Sequence, residues 1–592
     1  MSKGRGLARF TMRLDQPLAS SQTTSYATSY AAYVCNESGR DATMNRPESG
    51  MEPAPRSTAW LRYWPWAVVI LAIVLSAAIR LRLLNFPLER DEGEYAYAGQ
   101  LILQGIPPYK LAYNMKLPGI YFAYAGLMAI FGRSIAGIHL GLIMVNAATI
   151  VLVFLLARRL ANQRVAAAAA AAYAFLSLSP ALLGLAAHAT HFVTLAAVGG
   201  LLLLLRGLEH DRLVTIFAAG VVLGLAFVLK QQGVFFGIFG GLYLVYRELA
   251  VRPVGWRHVL GRAVAYAAGA AIPFSAACVG LWAAGTFKSF WFWTFSYARH
   301  YAEILSLNDG LHVFMASFPA YAKPTVLLWL AAAAGVVDLG LNWRKRAHSV
   351  FITGLLVFSF LAVCPGFYFR NHYFIVLLPA VGILAGLAVD RAHALVAAAK
   401  PQLGWLVAVG FGAIVGLGLF QERAVLFELS PVAACRAVYS ANPFPEAVEI
   451  ARFLRENSSQ DAKIAVLGSE PEIYFYSNRR SATGYIYTYA LMESQPYALK
   501  MQQEMIDEIE AAKPAYVVVV NVPTSWSVPY PNPQNLINKW FGDYSAQHLE
   551  LAGMIDLLSK DRTEYRWGKD AQGYKPRSPY FLVVLKQKAA SG

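Results

Sequence analysis

The sequence predicts a polytopic α-helical membrane protein of about eleven spans, with a small extracytoplasmic α/β domain at its C-terminal end. Three observations predict it. First, 57% of the 592 residues are hydrophobic and 15% are charged, where a soluble chain carries about 25% charge. Second, apolar stretches of the ~20 residues that a bilayer requires recur from about residue 64 to about residue 420. Third, the basic residues fall in short clusters on alternate connections, as topological anchors do. The net charge of +16 is therefore no nucleic-acid footprint, since no single face gathers it. Cys35, Cys278, Cys364 and Cys435 have no metal-type spacing and give no disulfide framework.

In chain order, residues 1–59 are polar and aperiodic, the composition of a disordered cytoplasmic tail, with Met44 and Met51 as alternative starts. The transmembrane module is 60–420. Its first span, about 64–84, has Trp60, Trp64 and Trp66 at its inner edge and Arg80 and Arg82 near its outer end. An outer loop, 85–133, follows; its apolar part, 119–132, is too short to span. Further spans are expected at about 134–157, 165–187, 189–205, 213–229, 231–246, 263–285, 324–341, 349–366, 373–389 and 402–420. Arg158, Arg159, Arg164, Arg206, Arg212, Arg247, Arg252, Arg257, Arg262, Arg344, Lys345, Arg346 and Arg391 mark the cytoplasmic connections. The N-terminus is then inside and the C-terminus outside, and loop 85–133 faces outward. The outer loop 286–323 holds an aromatic run, SFWFWTFSYARHYAE, that reads as interfacial belt or as sugar-binding rim.

Beyond residue 420, helices at 445–457 and 495–513 alternate with apolar strands at 462–468, 514–520 and 578–586. This pattern predicts an α/β domain, 421–592, with a partly parallel sheet. Gly468-Ser469-Glu470 follows a strand and reads as a ligand turn or a structural connection.

The densest polar chemistry lies in NFPLERDEGEYAYAGQLILQGIPPYKLAYNMKLPGI, residues 85–120. Asp91, Glu92, Glu94, Lys110 and Lys116 stand there among aromatics and prolines, directly after a membrane span. That placement marks either a membrane-surface site or a solvated flank. The Asp-Glu pair, the EYAYAGQLILQGIPPY run and the Lys-x-Pro resemble the first outer loop of the GT-C glycosyltransferases. The nearest likeness is to the branch holding the protein O-mannosyltransferases and the lipid A aminoarabinose transferases. A second echo is FYFRNHYFIVLLPA at 367–380.

The resemblance implies a polyprenyl-phosphate-linked sugar donor and a reaction that needs one carboxylate for the acceptor and cations for the phosphate. By motif match Asp91 is the base and Glu92 its helper. Lys116 holds the donor phosphate, with Arg370 and His372 as further phosphate contacts. Glu94, Tyr95, Tyr109, His188 and His191 are candidate sugar or acceptor contacts. Relatives often carry an acidic residue where this chain has Met115, and an aspartate where it offers His188 and His191. The i, i+3 spacing of the two histidines suits a divalent metal, a sugar contact or simple hydrogen bonding in the bundle. The implied activity is inverting transfer of a sugar to an envelope lipid, polysaccharide or protein at the outer face of a bacterial inner membrane. The alternatives are a transporter or lipid flippase, against which no internal repeat or matched broken helix is seen, and a scaffold, for which eleven spans exceed any anchor.

Overall fold

The structure is a computed structural model that describes residues 63–251, 255–527 and 535–589. The expected tail 1–59, Trp60 and Arg252 lie outside the described residues.

Eight helices among the described residues are long and apolar enough to cross a membrane, and three shorter apolar helices accompany them. In chain order the first nine helices are α1 (Trp64–Arg82), α2 (Arg90–Leu103), α3 (Gly119–Phe131), α4 (Ile135–Leu160), α5 (Gln163–Leu176), α6 (Ala189–Glu209), α7 (Leu213–Leu229), α8 (Val234–Tyr246) and α9 (Trp256–Ala283). The helix leading out of Asn371–Leu377, Leu378–Ala399, packs against α5 and is buried along its first half.

Two spans differ from expectation. The stretch 165–187 is not one helix: α5 stops at Leu176, a short turn forms at Pro180–Leu182, and Leu183 takes a left-handed φ of 54°. Pro180 supplies no N–H and disfavours helix in the residue before it, so the span ends early. The freed segment, 177–188, becomes a largely buried turn that leads to α6. Conversely, the loop expected at 286–323 is largely helical, and its last helix runs on into the following span as Leu307–Leu341. Ser306 and Asp309 start that helix with a reciprocal capping box.

The C-terminal domain is built on six strands: β1 (Lys463–Leu467), β2 (Arg480–Ser481), β3 (Tyr516–Asn521), β4 (Leu549–Leu557), β5 (Thr563–Trp567) and β6 (Phe581–Gln587). Their order is β2-β1-β3-β6-β4-β5. β1 pairs parallel with β2 and β3, while β6 and β5 run antiparallel to their neighbours. The nearly unbroken apolar runs of β1 and β3 suit strands covered on both faces.

This domain sits on α2. A Cβ on Gly93 would lie 2.6 Å from Glu472 N, so only glycine permits the approach. Leu88 N donates to the Tyr476 hydroxyl at 2.8 Å, Ser481 N to the Tyr97 hydroxyl at 2.8 Å, and Tyr113 N to Gly484 O at 2.7 Å. One hydrophobic core runs from the bundle through Tyr97 and Tyr474 into the sheet.

Candidate active site

The site is organised by the first turn of α2. Glu89 is its N-cap: its carboxylate accepts from Glu92 N at 2.9 Å, and the Glu92 carboxylate accepts from Glu89 N at 3.3 Å. Neighbouring helix residues point about 100° apart, so Asp91 and Glu92 take different directions. Asp91 faces a cavity of about 370 Å³. Glu92 turns into the bundle, where its Oε1 accepts from Ala187 N at 2.6 Å and lies 3.1 Å from His139 Nε2. Glu92, expected as the helper of Asp91, does not line this cavity. The second carboxylate lining the cavity from this turn is Glu89.

Around the cavity stand Asp91, Lys116, His188, Lys230, Arg370 and His372 from the helical bundle, with Tyr487, Tyr489 and Glu493 from the C-terminal domain. Lys116 Nζ donates to Asp91 Oδ1 at 2.5 Å and to Glu94 Oε2 at 2.8 Å. Glu94 also accepts from Asn114 Nδ2 at 2.8 Å and from the Tyr121 hydroxyl at 2.6 Å. Thus Glu94 lies behind the lysine and anchors it. Tyr95 is fully buried beneath, its ring 4.9 Å from Lys116 Nζ. Tyr109 donates its hydroxyl to Lys116 O at 2.7 Å and shapes the lysine turn from behind. Neither tyrosine reaches the cavity.

His188 and His372 stack at 4.1 Å with an interplanar angle of 10°. Asp91 Oδ2 lies 3.9 Å from His188 Nδ1 and 3.8 Å from His372 Nε2. The three residues offer ligand atoms within 4.8 Å of one another. Both His188 nitrogens and His372 Nδ1 lack a hydrogen-bond partner among the described residues. This N,N,O set fits a divalent transition metal. His191 is set apart. His188 precedes the first helical residue, Ala189, so the i, i+3 relation does not bring the pair to one face, and His191 lies outside the cavity. Arg370 lines the cavity, with its guanidinium 5.4 Å from the Tyr368 ring centre and Nη2 3.4 Å from the Tyr301 hydroxyl.

The charges sort the carboxylates. Burial by itself would raise the Asp91 pKa, but Lys116 foremost, then His372, His188 and Lys230, outweigh it and hold the group well below the usual range. Burial, then the Asp91 charge, pushes Glu89 well above its usual value. Glu94 is raised by burial despite Lys116. The surroundings thus favour the ionised form of Asp91 and the protonated form of Glu89.

Lys230 has no ion-pair partner among the described residues, and its Nζ lies over the Tyr373 ring at 4.5 Å. It was legible only as a lone lysine between two apolar stretches. The neighbouring Gln231 donates Nε2 to Met115 O at 2.7 Å. Tyr487, Tyr489 and Glu493 carried no sequence signal, since only the fold brings the C-terminal domain over the cavity.

A second cavity, about 1350 Å³ and mainly apolar, lies among α2, α3, α6, α7 and α9. Pro118 and Leu229 line it, whereas Lys116 and Lys230 line the polar one. The two spaces therefore adjoin along these two stretches.

Comparison with known proteins agrees with this architecture. The family model for dolichyl-phosphate-mannose-protein mannosyltransferases matches residues 116–282. No curated protein matches the sequence. The structure of ArnT from Cupriavidus metallidurans bound to undecaprenyl phosphate aligns with a TM-score of 0.54 and 16% identity, over 90% of this chain and 99% of that one. The archaeal oligosaccharyltransferase AglB from Archaeoglobus fulgidus, in complex with an inhibitory peptide and a dolichol-phosphate, aligns with a TM-score of 0.52 and 13% identity, over 88% of this chain and 75% of that one. The chain is an integral membrane protein with the GT-C fold. The family-model match and the fold likeness to ArnT point to the same branch that residues 85–120 resemble.

Proposed function

We propose that the protein is an inverting glycosyltransferase that moves a sugar from a polyprenyl phosphate to an acceptor of the bacterial cell envelope. The acceptor is a lipid, a polysaccharide or a protein, met at the outer face of the inner membrane. The orientation is the one read from the basic clusters, with the N-terminus cytoplasmic and the C-terminal domain extracytoplasmic.

One observation carries the reading: the polar cavity and the apolar one adjoin, with Lys116 and Lys230 on the first and Pro118 and Leu229 on the second. An isoprenoid chain in the apolar space would end with its phosphate beside these two lysines, and its sugar beside Asp91. The fold likeness to ArnT and AglB, whose structures hold undecaprenyl phosphate and dolichol-phosphate, supports a lipid phosphate as the donor's carrier.

In this mechanism the acceptor hydroxyl attacks the anomeric carbon on the face opposite the phosphate. A C–O bond forms to the acceptor, and the anomeric carbon–phosphate oxygen bond breaks. Polyprenyl phosphate is already a good leaving group, so no acid is required on its side, unlike in glycoside hydrolysis. Asp91 accepts the hydroxyl proton and passes it to solvent. Lys116, Lys230, Arg370 and His372 bind and orient the phosphate. A divalent cation held by Asp91, His188 and His372 would add positive charge beside the departing phosphate.

The test has two parts. Purified protein should bind undecaprenyl phosphate, and mass spectrometry of envelope glycolipids and glycoproteins should show one sugar increment that depends on the active protein. Neither binding nor a changed increment would leave the transferase reading without support.

A further inference from the structure

We propose that the outer domain is a working part of the catalytic centre: Arg90, gripped by the Ser469–Glu470 turn and Tyr489, holds that domain in register so that Tyr487 fixes the direction of the Asp91 carboxylate. This inference deepens the transferase reading and rests on it.

Arg90 is the immediate neighbour of Asp91, yet its guanidinium points entirely into the outer domain. Nε donates to Ser469 O at 2.6 Å, Nη1 to the Tyr489 hydroxyl at 3.0 Å, and Nη2 to Glu470 Oε1 at 3.0 Å and Asn442 Oδ1 at 3.2 Å. The Gly468-Ser469-Glu470 turn, which reads in sequence as a ligand turn or a structural connection, takes this chain's own arginine. Glu470 is fully buried, and its other oxygen accepts from Ser525 Oγ at 2.6 Å. Ser469 Oγ donates to Ser525 O at 2.7 Å and accepts from Thr488 N at 3.0 Å. Thr488 stands between Tyr487 and Tyr489, so a closed hydrogen-bonded circuit runs from Arg90 to the backbone that carries Tyr487.

The Tyr487 hydroxyl then returns to the starting helix and donates to Asp91 Oδ1 at 3.3 Å. Oδ1 is also the oxygen that Lys116 holds, which leaves Oδ2, on the side of His188 and His372, to meet an acceptor hydroxyl. A lysine that turns toward the donor phosphate releases Oδ1. Tyr487 remains on it, and the carboxylate keeps its direction while the charge pattern around it changes. Tyr487 is on this account a positioning residue, and Arg90 positions Tyr487.

The test uses the full-length protein in lipid nanodiscs. Tyr487→Phe deletes one oxygen and Arg90→Lys keeps the charge but loses the fork. Binding is read with undecaprenyl phosphate, and turnover with whichever undecaprenyl-phosphate-linked sugar the wild type accepts from a panel. We expect kcat to fall by between about tenfold and about 100-fold in each variant, with KM for the donor and affinity for undecaprenyl phosphate unchanged. The double variant should be no slower than the slower single one, because both changes cut the same circuit. Wild-type kcat in a well-folded Tyr487→Phe variant overturns the proposal, even if Arg90→Lys does not fold. Equal losses of kcat and of undecaprenyl phosphate affinity in both variants also overturn it, by making the circuit merely structural. A wild type that neither binds undecaprenyl phosphate nor turns over any donor defeats the transferase reading itself.

Discussion

Lys116 and Asp91 are joined by a 2.5 Å salt bridge at the edge of the polar cavity. The two residues that the chemistry assigns to opposite partners, phosphate and acceptor, are thus bound to each other. In the proposed mechanism a donor phosphate would draw Lys116 away from Asp91, and the carboxylate would lose the neighbour that does most to hold its pKa down. Donor binding itself would thereby raise the basicity of Asp91.

Asp91→Asn removes the proposed base and one of the two carboxylates that hold Lys116. Turnover should fall by roughly 10²–10⁴-fold, the usual worth of a general base. Affinity for undecaprenyl phosphate should hold or rise, because the phosphate then competes with one carboxylate, Glu94, for Lys116 instead of two. Isothermal calorimetry and a transfer assay on the same preparation measure both. A loss of affinity in step with turnover would refute the shared-lysine arrangement.

Lys116→Ala should weaken phosphate binding and also stability, since it leaves Asp91 and Glu94 as buried carboxylates without their shared cation. Breaking a buried pair costs about 3–5 kcal/mol, and the partly wetted position of Asp91 and Lys116, 15% and 16% exposed, puts this case at the lower end. Adding Glu94→Gln should recover much of the lost melting temperature and none of the undecaprenyl phosphate affinity. Recovery of both would mean that Lys116 acts through folding alone.

The legible part of this protein was what period and composition encode. The apolar spans, the helix at Phe444–Glu456 and the strands β1, β3 and β6 could be read because burial on one or both faces leaves an unbroken mark. β5 could not: its residues, TEYRW, are all half-buried and polar in alternation with aromatic ones. The site was half legible. Asp91 and Lys116 stand in a recognisable run, but the direction of Glu92 depended on where α2 begins, and the distance between His188 and His191 on where α6 begins. Boundaries set by caps are invisible to periodicity. Lys230 and Tyr487 reach the cavity from more than a hundred residues away in sequence, which no local pattern reports.

Topology is open to direct measurement. Reporter fusions at about residues 160, 255 and 345 should report cytoplasm, and fusions at about 105, 305 and 500 the outer side, as the basic clusters require. A cytoplasmic signal at 105 would put Asp91 on the side away from an outward-facing donor and end the proposed mechanism.

Glu89 offers a test by pH, and the sign can be worked out in advance. Its pKa in the folded protein is raised, by burial first and then by the Asp91 charge, while in the unfolded chain it titrates near ~4.3. Below that value both states are protonated and Glu89 does not oppose folding. As pH rises past it, the unfolded chain releases the proton and the folded one keeps it, so stability drains until the higher folded value is reached. Asp91, held low by Lys116, works in the opposite sense: its contribution is present above ~3.9 and is lost as pH falls. Glu89→Gln keeps an oxygen to accept from Glu92 N and has no proton to lose. The variant should therefore melt near the wild type at pH 4.5 and above it at pH 7.5, with each kcal/mol worth about 1 °C in a chain of this size. Melting curves in one detergent at pH 4.5, 6.0 and 7.5 decide the matter. A gap that stays constant or closes as pH rises would show that Glu89 is ionised beside Asp91, and that the two carboxylates are not sorted in the way their surroundings indicate.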